Sequence, residues 1–202
     1  MPRYYRTPRM LLRGPVALHD IDAIVREMKA RKIKDVTSDP RHGIVWEQVW
    51  ELVPGVFLQL LEDYRSRSLA MVIYSEDSDR VVKFSELVRQ YVNPIDPEEI
   101  LSDVAAASID EDRAHAIVRA GFGSPFEFDE RFFSVIRDAM TDKSPRVRAA
   151  GVWATTYSFW PQYREPLRRV AETESDPDLR EEAAALADAP ADQYGRPLNG
   201  ES

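Results

Sequence analysis

One segment returns along the chain, and it constrains the fold more than anything else in the sequence. MTDKSPRVRAA, from Met140 to Ala150, reappears in altered form as ETESDPDLREEAA, from Glu172 to Ala184. In both, an acidic loop residue leads to a proline with Ser or Asp before it. The third residue after that proline is an arginine in an Ala-rich run, Arg148 or Arg180, which sets a period of 32 residues. A fainter copy, SIDEDRAHAIV, puts Arg113 35 residues ahead of Arg148. A helix-only repeat of this length predicts an α-solenoid, because one helix pair is too thin to bury its own apolar face and needs neighbours.

The helix starts carry their own signals. Asp96-Pro97-Glu98-Glu99 sets a cap, a proline at the first helical position and a glutamate at the third. Ser108 with Glu111 makes a second capping box; Asp129, Ser144-Pro145, Pro161 and Asp176-Pro177 open the later helices. Six helices in three pairs are expected over residues 95–189, with the glycine- and proline-containing stretch Gly121 to Asp129 as the break after the first pair.

The first half reads differently. Residues 1–13, MPRYYRTPRMLLR, hold four arginines and no acid, and they read either as a frayed terminus or as a basic arm for an acidic surface. Residues 14–94 read as an α+β domain. Ile21, Ile24, Val25 and Met28 share one helical face, and Lys29, Arg31, Lys32 and Lys34 complement the dipole at that helix's end. Asp35 to Gly43 reads as a loop. Ile44–Val53, Val56–Tyr64 and Leu69–Tyr74 then predict a small three-stranded antiparallel sheet with flanking helices, although Ile44, Val45, Trp46, Val49, Trp50 and Val53 would also make a helical stripe. Ser78 caps a closing helix that ends at Asn93-Pro94. Residues 190–202 lack periodicity and read as a disordered tail. The expected class is therefore α+β: the three-stranded sheet and its helices, then the solenoid.

The runs Asp142-Lys-Ser-Pro145-Arg-Val147-Arg148-Ala149-Ala150 and Asp176-Pro177-Asp-Leu179-Arg180 resemble the second-helix signature of HEAT repeats, over residues 95–189. A tetratricopeptide array is the alternative, but its Trp, Gly and Tyr positions are not met. The HEAT resemblance implies a structural ladder in which Arg148 and Arg180 bond to loop acids such as Asp142 and Asp176. The first copy departs from the pattern: it lacks the proline, and Asp112 stands where Val147 stands in the second.

Charge and composition narrow the function classes. The net charge is −8, with residues 1–43 carrying 10 Lys/Arg against 5 Asp/Glu and residues 95–202 carrying 12 against 22. Phosphate tracking needs the opposite sign over the solenoid, so nucleic acid is an unfavoured partner there. With no cysteine there is no disulfide scaffold and no thiolate zinc site, and no apolar run reaches membrane-span length. A cytoplasmic protein is the expectation.

Enzymes with HEAT-like folds offer three comparisons. The paired His-Glu ligands of iron hydroxylases have no counterpart in His19, His42 and His115, a DNA glycosylase needs a basic concave surface, and nothing singles out the tetrapyrrole of a bilin lyase. Acid pairs such as Glu98-Glu99 and Glu181-Glu182 complement helix dipoles. No catalytic residue, metal or cofactor is expected. The expected function is a non-enzymatic protein-binding module, an adaptor, inhibitor or immunity-type protein. Its candidate surface is Trp153, Tyr157 and Trp160, spaced for one helical face and rimmed by Arg146 and Arg164. The same aromatic face would equally serve as the core of the stack. The alternative function is a nucleic-acid binder or repair glycosylase that acts through the basic first residues and the aromatic segment.

Overall fold

The computed structural model describes residues 4–39, 44–158 and 160–189. The chain divides into two compact units at Ile95 and Asp96.

In the first unit, Pro15–Glu27 forms α1, and its Ile21 and Ile24 are buried as the spacing requires. The helix stops earlier than its basic run predicts. Lys29 takes a left-handed φ of 50°, its N–H donates to the Arg26 carbonyl, and the Ala30 N–H reaches back to Val25 at 2.8 Å. These bonds satisfy the orphan carbonyls of the last turn and turn the chain. A lysine in that role carries no sequence signal.

The turn delivers a strand where the sequence predicts a helix end and a loop. Beside the strands already expected, β4 (Ile44–Val53), β5 (Val56–Asp63) and β6 (Ser68–Ser75), the sheet contains β1 (Tyr5–Arg6), β2 (Met10–Leu11) and β3 (Arg31–Asp39). The expected three-stranded sheet is thus corrected to six antiparallel strands in the order β1-β6-β5-β4-β3, with β2 also on β6. Strand β3 escapes sequence reading because RKIKDVTSD is a charged edge: Lys32, Ile33 and Lys34 are all exposed, and a bulge interrupts its register between Lys32 and Lys34. The basic arm is likewise corrected. Tyr5 pairs with Ser75 and Met10 with Met71. Pro8 has no N–H and splits the strand in two, while the Thr7 hydroxyl accepts the Ile73 N–H at 3.1 Å between the pieces. Met10, Leu11 and Leu12 are buried, so residues 4–12 are built into the sheet instead of fraying.

Pro54 and Gly55, the latter at φ 77°, turn β4 into β5. Alternation then sends Trp50, Leu52, Val56, Leu58, Leu60, Met71 and Ile73 into one core with Ile21 and Ile24 of α1 and Val88 of α2 (Ser78–Tyr91). Asp77 caps α2, in place of the expected Ser78, by accepting the N–H groups of Asp79 and Arg80.

In the second unit, six helices stand among the described residues: α3 (Pro97–Ala106), α4 (Asp110–Gly123), α5 (Glu130–Ala139), α6 (Pro145–Ala154), α7 (Arg164–Thr173) and α8 (Pro177–Asp188). They pack as α3 with α4, α5 with α6 and α7 with α8, and α4 lies along α6. Pro161 opens a 3-10 turn that runs into α7. Asp129 and Asp176 cap as expected, whereas the Ser108–Glu111 box does not form and Ile109 occupies the cap position of α4. Gly121 allows the close approach of α4 and α6: a Cβ there would lie 2.6 Å from the Ala154 carbonyl oxygen. The tail expected over 190–202 lies outside the described residues.

Candidate functional site

A chain of ionic and backbone contacts runs through the three pairs of the second unit. The Arg113 guanidinium pairs with the Asp142 carboxylate, whose other oxygen accepts the Ser144 N–H at 2.8 Å in front of α6. Arg148 Nη1 donates to the backbone carbonyls of Asp142 and Lys143 at 3.0 and 3.2 Å. Its Nε and Nη2 hold the two oxygens of Glu174 at 2.6 and 2.9 Å. Glu174 in turn accepts the N–H groups of Ser175 and Asp176, and Arg180 Nη1 donates to the Glu174 and Ser175 carbonyls at 2.9 and 3.2 Å.

The partners therefore differ from those the resemblance implies. Arg148 meets Asp142 through its carbonyl, and the carboxylate that Arg148 engages belongs to Glu174. Arg180 meets the Glu174 and Ser175 carbonyls, while Asp176 spends its carboxylate on the cap of α8. The repeat held the signal for Glu174: with the arginines aligned, Asp142 and Glu174 both stand six residues ahead. Their electrostatics match that placement. The Arg148 fork, with the Ser175 and Asp176 N–H groups, holds the Glu174 carboxyl down at about 2 against its burial, and the Ser144 N–H and Arg113 lower Asp142.

The expected aromatic face is dispersed. Helix α6 ends at Ala154, so Trp153, Tyr157 and Trp160 do not share a helical face. Trp160 is buried; its Nε1–H donates to the Phe126 carbonyl at 3.0 Å, and its ring packs on Phe128 and Tyr163. Tyr157 is half-buried against Phe122, and Trp153 is half-buried. Arg164 donates to the Ala189 carbonyl at 3.5 Å. Arg146 is exposed and pairs with Glu111 at 3.3 Å, a surface contact of small energetic weight. The structure does not gather these five residues into one surface.

A groove of about 790 Å³ does open in this unit, between α5 and α7. Phe133, Met140 and Val170 supply its apolar floor, and the Arg148–Glu174 pair lies at its base. Two further pairs stand among its lining, Arg137 with Asp138 at 2.8 Å and Arg169 with Glu165 at 3.8 Å. Gln162 adds an exposed amide. Sequence reading misses this groove because it lies in a gap between helices that no linear pattern encodes.

In the first unit, the basic residues following α1 are matched by acids: Arg31 with Glu51 at 2.6 Å and Lys34 with Glu47 at 2.6 Å across to β4, and Lys32 with Asp35 at 3.0 Å within β3. Among the described residues, no group of three or more His, Asp or Glu is placed to hold a metal ion, and no helix is long and apolar enough to cross a membrane. Comparison with family models, with curated proteins and with solved structures finds no match for this chain.

Proposed function

We propose that the helical unit is a non-enzymatic protein-interaction module that takes a segment of its partner into the α5–α7 groove. The observation that carries this reading is the combination in one cleft of an apolar floor and rigidly paired charges. A partner's apolar anchor would pack on half-buried Pro166 over the floor of Phe133, Met140 and Val170, while the solvent-accessible side chains of Arg137, Asp138, Glu165 and Arg169 offer charged partners to its flanks. The likeness of its repeats to HEAT repeats supports the same role. The matched charges of Arg31, Lys32 and Lys34 favour it over nucleic-acid binding, which needs unneutralised cations.

The test is photo-crosslinking in the native host with benzoylphenylalanine at Gln162, which lines the groove, and at Val82, exposed on α2. A protein adduct formed at 162, absent at 82 and diminished by Arg169→Glu is expected. Adducts of equal yield at both positions, or a nucleic-acid adduct, would overturn the reading.

A further inference from the structure

Arg148 uses its guanidinium in two halves, and Arg180 repeats one of them. In Arg148, Nη1 is spent on two backbone carbonyls, and the opposite edge, Nε with Nη2, grips the Glu174 carboxylate. Arg180 repeats the first half almost to the tenth of an ångström, with carbonyl contacts of 2.9 and 3.2 Å against 3.0 and 3.2 Å. Its second half holds no carboxylate among the described residues. The guanidinium is thereby fixed in the orientation that takes a carboxylate side-on in the preceding rung, yet it is left open.

We propose that the Nε–Nη2 edge of Arg180 is a receptor for an Asp or Glu side chain on a partner protein's loop. A bidentate arginine–carboxylate pair is both directional and strong, and here the two carbonyls have already fixed the plane of the donor. The described residues leave the surface beside it uncovered. Val152, four residues after Arg148, is fully buried, whereas the aligned Ala184, four after Arg180, is exposed, so small side chains leave room for a backbone to approach.

The neighbouring residues specify the partner further. Asp178 and Glu181 are exposed where Arg146 and Ala149 stand in the preceding rung. An isolated acid would meet like charge there, so the incoming loop carries basic residues on either side of its acid. A second copy stacked head to tail does not meet this requirement. The position six ahead of Arg113, which would have to supply the acid, is Ala107. Arg180 is not among the groove's lining residues, so the two sites succeed or fail separately.

The experiment uses the full chain, ¹⁵N-labelled, and follows the arginine Nε–H resonances during titration with a synthetic peptide, acetyl-Ala-Lys-Glu-Ser-Lys-Pro-Ala-amide. Its counterpart with Gln in place of Glu is the control. The Arg180 Nε–H signal is expected to move downfield towards that of Arg148 with the Glu peptide only, and Arg180→Lys is expected to abolish the difference between the peptides. Equal perturbation by both peptides, or an unmoved signal at millimolar Glu peptide, would overturn the proposal. So would concentration-dependent self-association of the free chain that is lost in Arg180→Lys, which would assign the edge to a second copy.

Discussion

Arg148 and Glu174 close a two-bond fork across 26 residues, and the carboxylate inside it is almost wholly removed from water, with its side chain 2% exposed. This pair ties the start of α6 to the loop before α8, and the same arginine holds the backbone of its own preceding loop. One side chain therefore fixes the spacing of two successive helix pairs. Cutting it leaves a buried acid without its counter-charge.

Arg148→Ala is expected to lower unfolding stability by roughly 2–4 kcal/mol, because the penalty of the stranded carboxylate adds to the lost hydrogen bonds. Urea titration of the variant measures this. Arg148→Lys should recover only part of the loss, since an ammonium cannot span both oxygens. A variant as stable as the parent would show that the fork contributes nothing net.

The same pair sets a pH dependence. The Glu174 carboxyl is lowered from its ordinary 4.5 to about 2 in the folded protein. The folded state therefore binds fewer protons than the unfolded chain between those values. Its stabilisation is complete above about 4.5 and is lost progressively as the pH falls towards about 2. Asp142, also lowered, adds a contribution of the same sign. Urea midpoints should fall more steeply through this window in the parent than in Glu174→Gln, and parallel slopes would contradict the assignment.

Gly121→Ala should destabilise the helical unit by roughly 1–3 kcal/mol or more, because the added methyl meets backbone atoms that cannot swing aside. Its nearest contacts would be the Ala154 oxygen at 2.6 Å and Cα at 2.8 Å. Gly14→Ala is the contrast: nothing lies within 4 Å, and the cost there comes only from its φ of 68°. Thermal melts of the two variants separate crowding from backbone strain.

The N-terminal segment gives a fourth test. Leu11 is 1% exposed beside β6, so Leu11→Ala should cost about 2–4 kcal/mol in urea unfolding. A frayed arm would leave stability unchanged.

Sequence by itself determined the parts of this protein that repeat or alternate. The starts of α3, α6 and α8 were legible because Asp-Pro and Ser-Pro steps suit the first turn of a helix. Strands β4 to β6 were legible because their β-branched and aromatic runs are broken at Pro54-Gly55 and at the polar turn before Ser68. Glu174 stood in the repeat, in register with Asp142. The tertiary structure alone decided what depends on neighbours distant in the chain. Strand β3 is a strand because β4 offers it hydrogen bonds and cross-strand acids, β1 and β2 because β6 does, and neither segment carries the apolar alternation of a half-buried strand. Trp160 was equally suited by composition to a surface and to a core. Its burial, and the opening of the groove between α5 and α7, follow from how the helix pairs pack, a geometry set by long-range contacts that local periodicity does not encode.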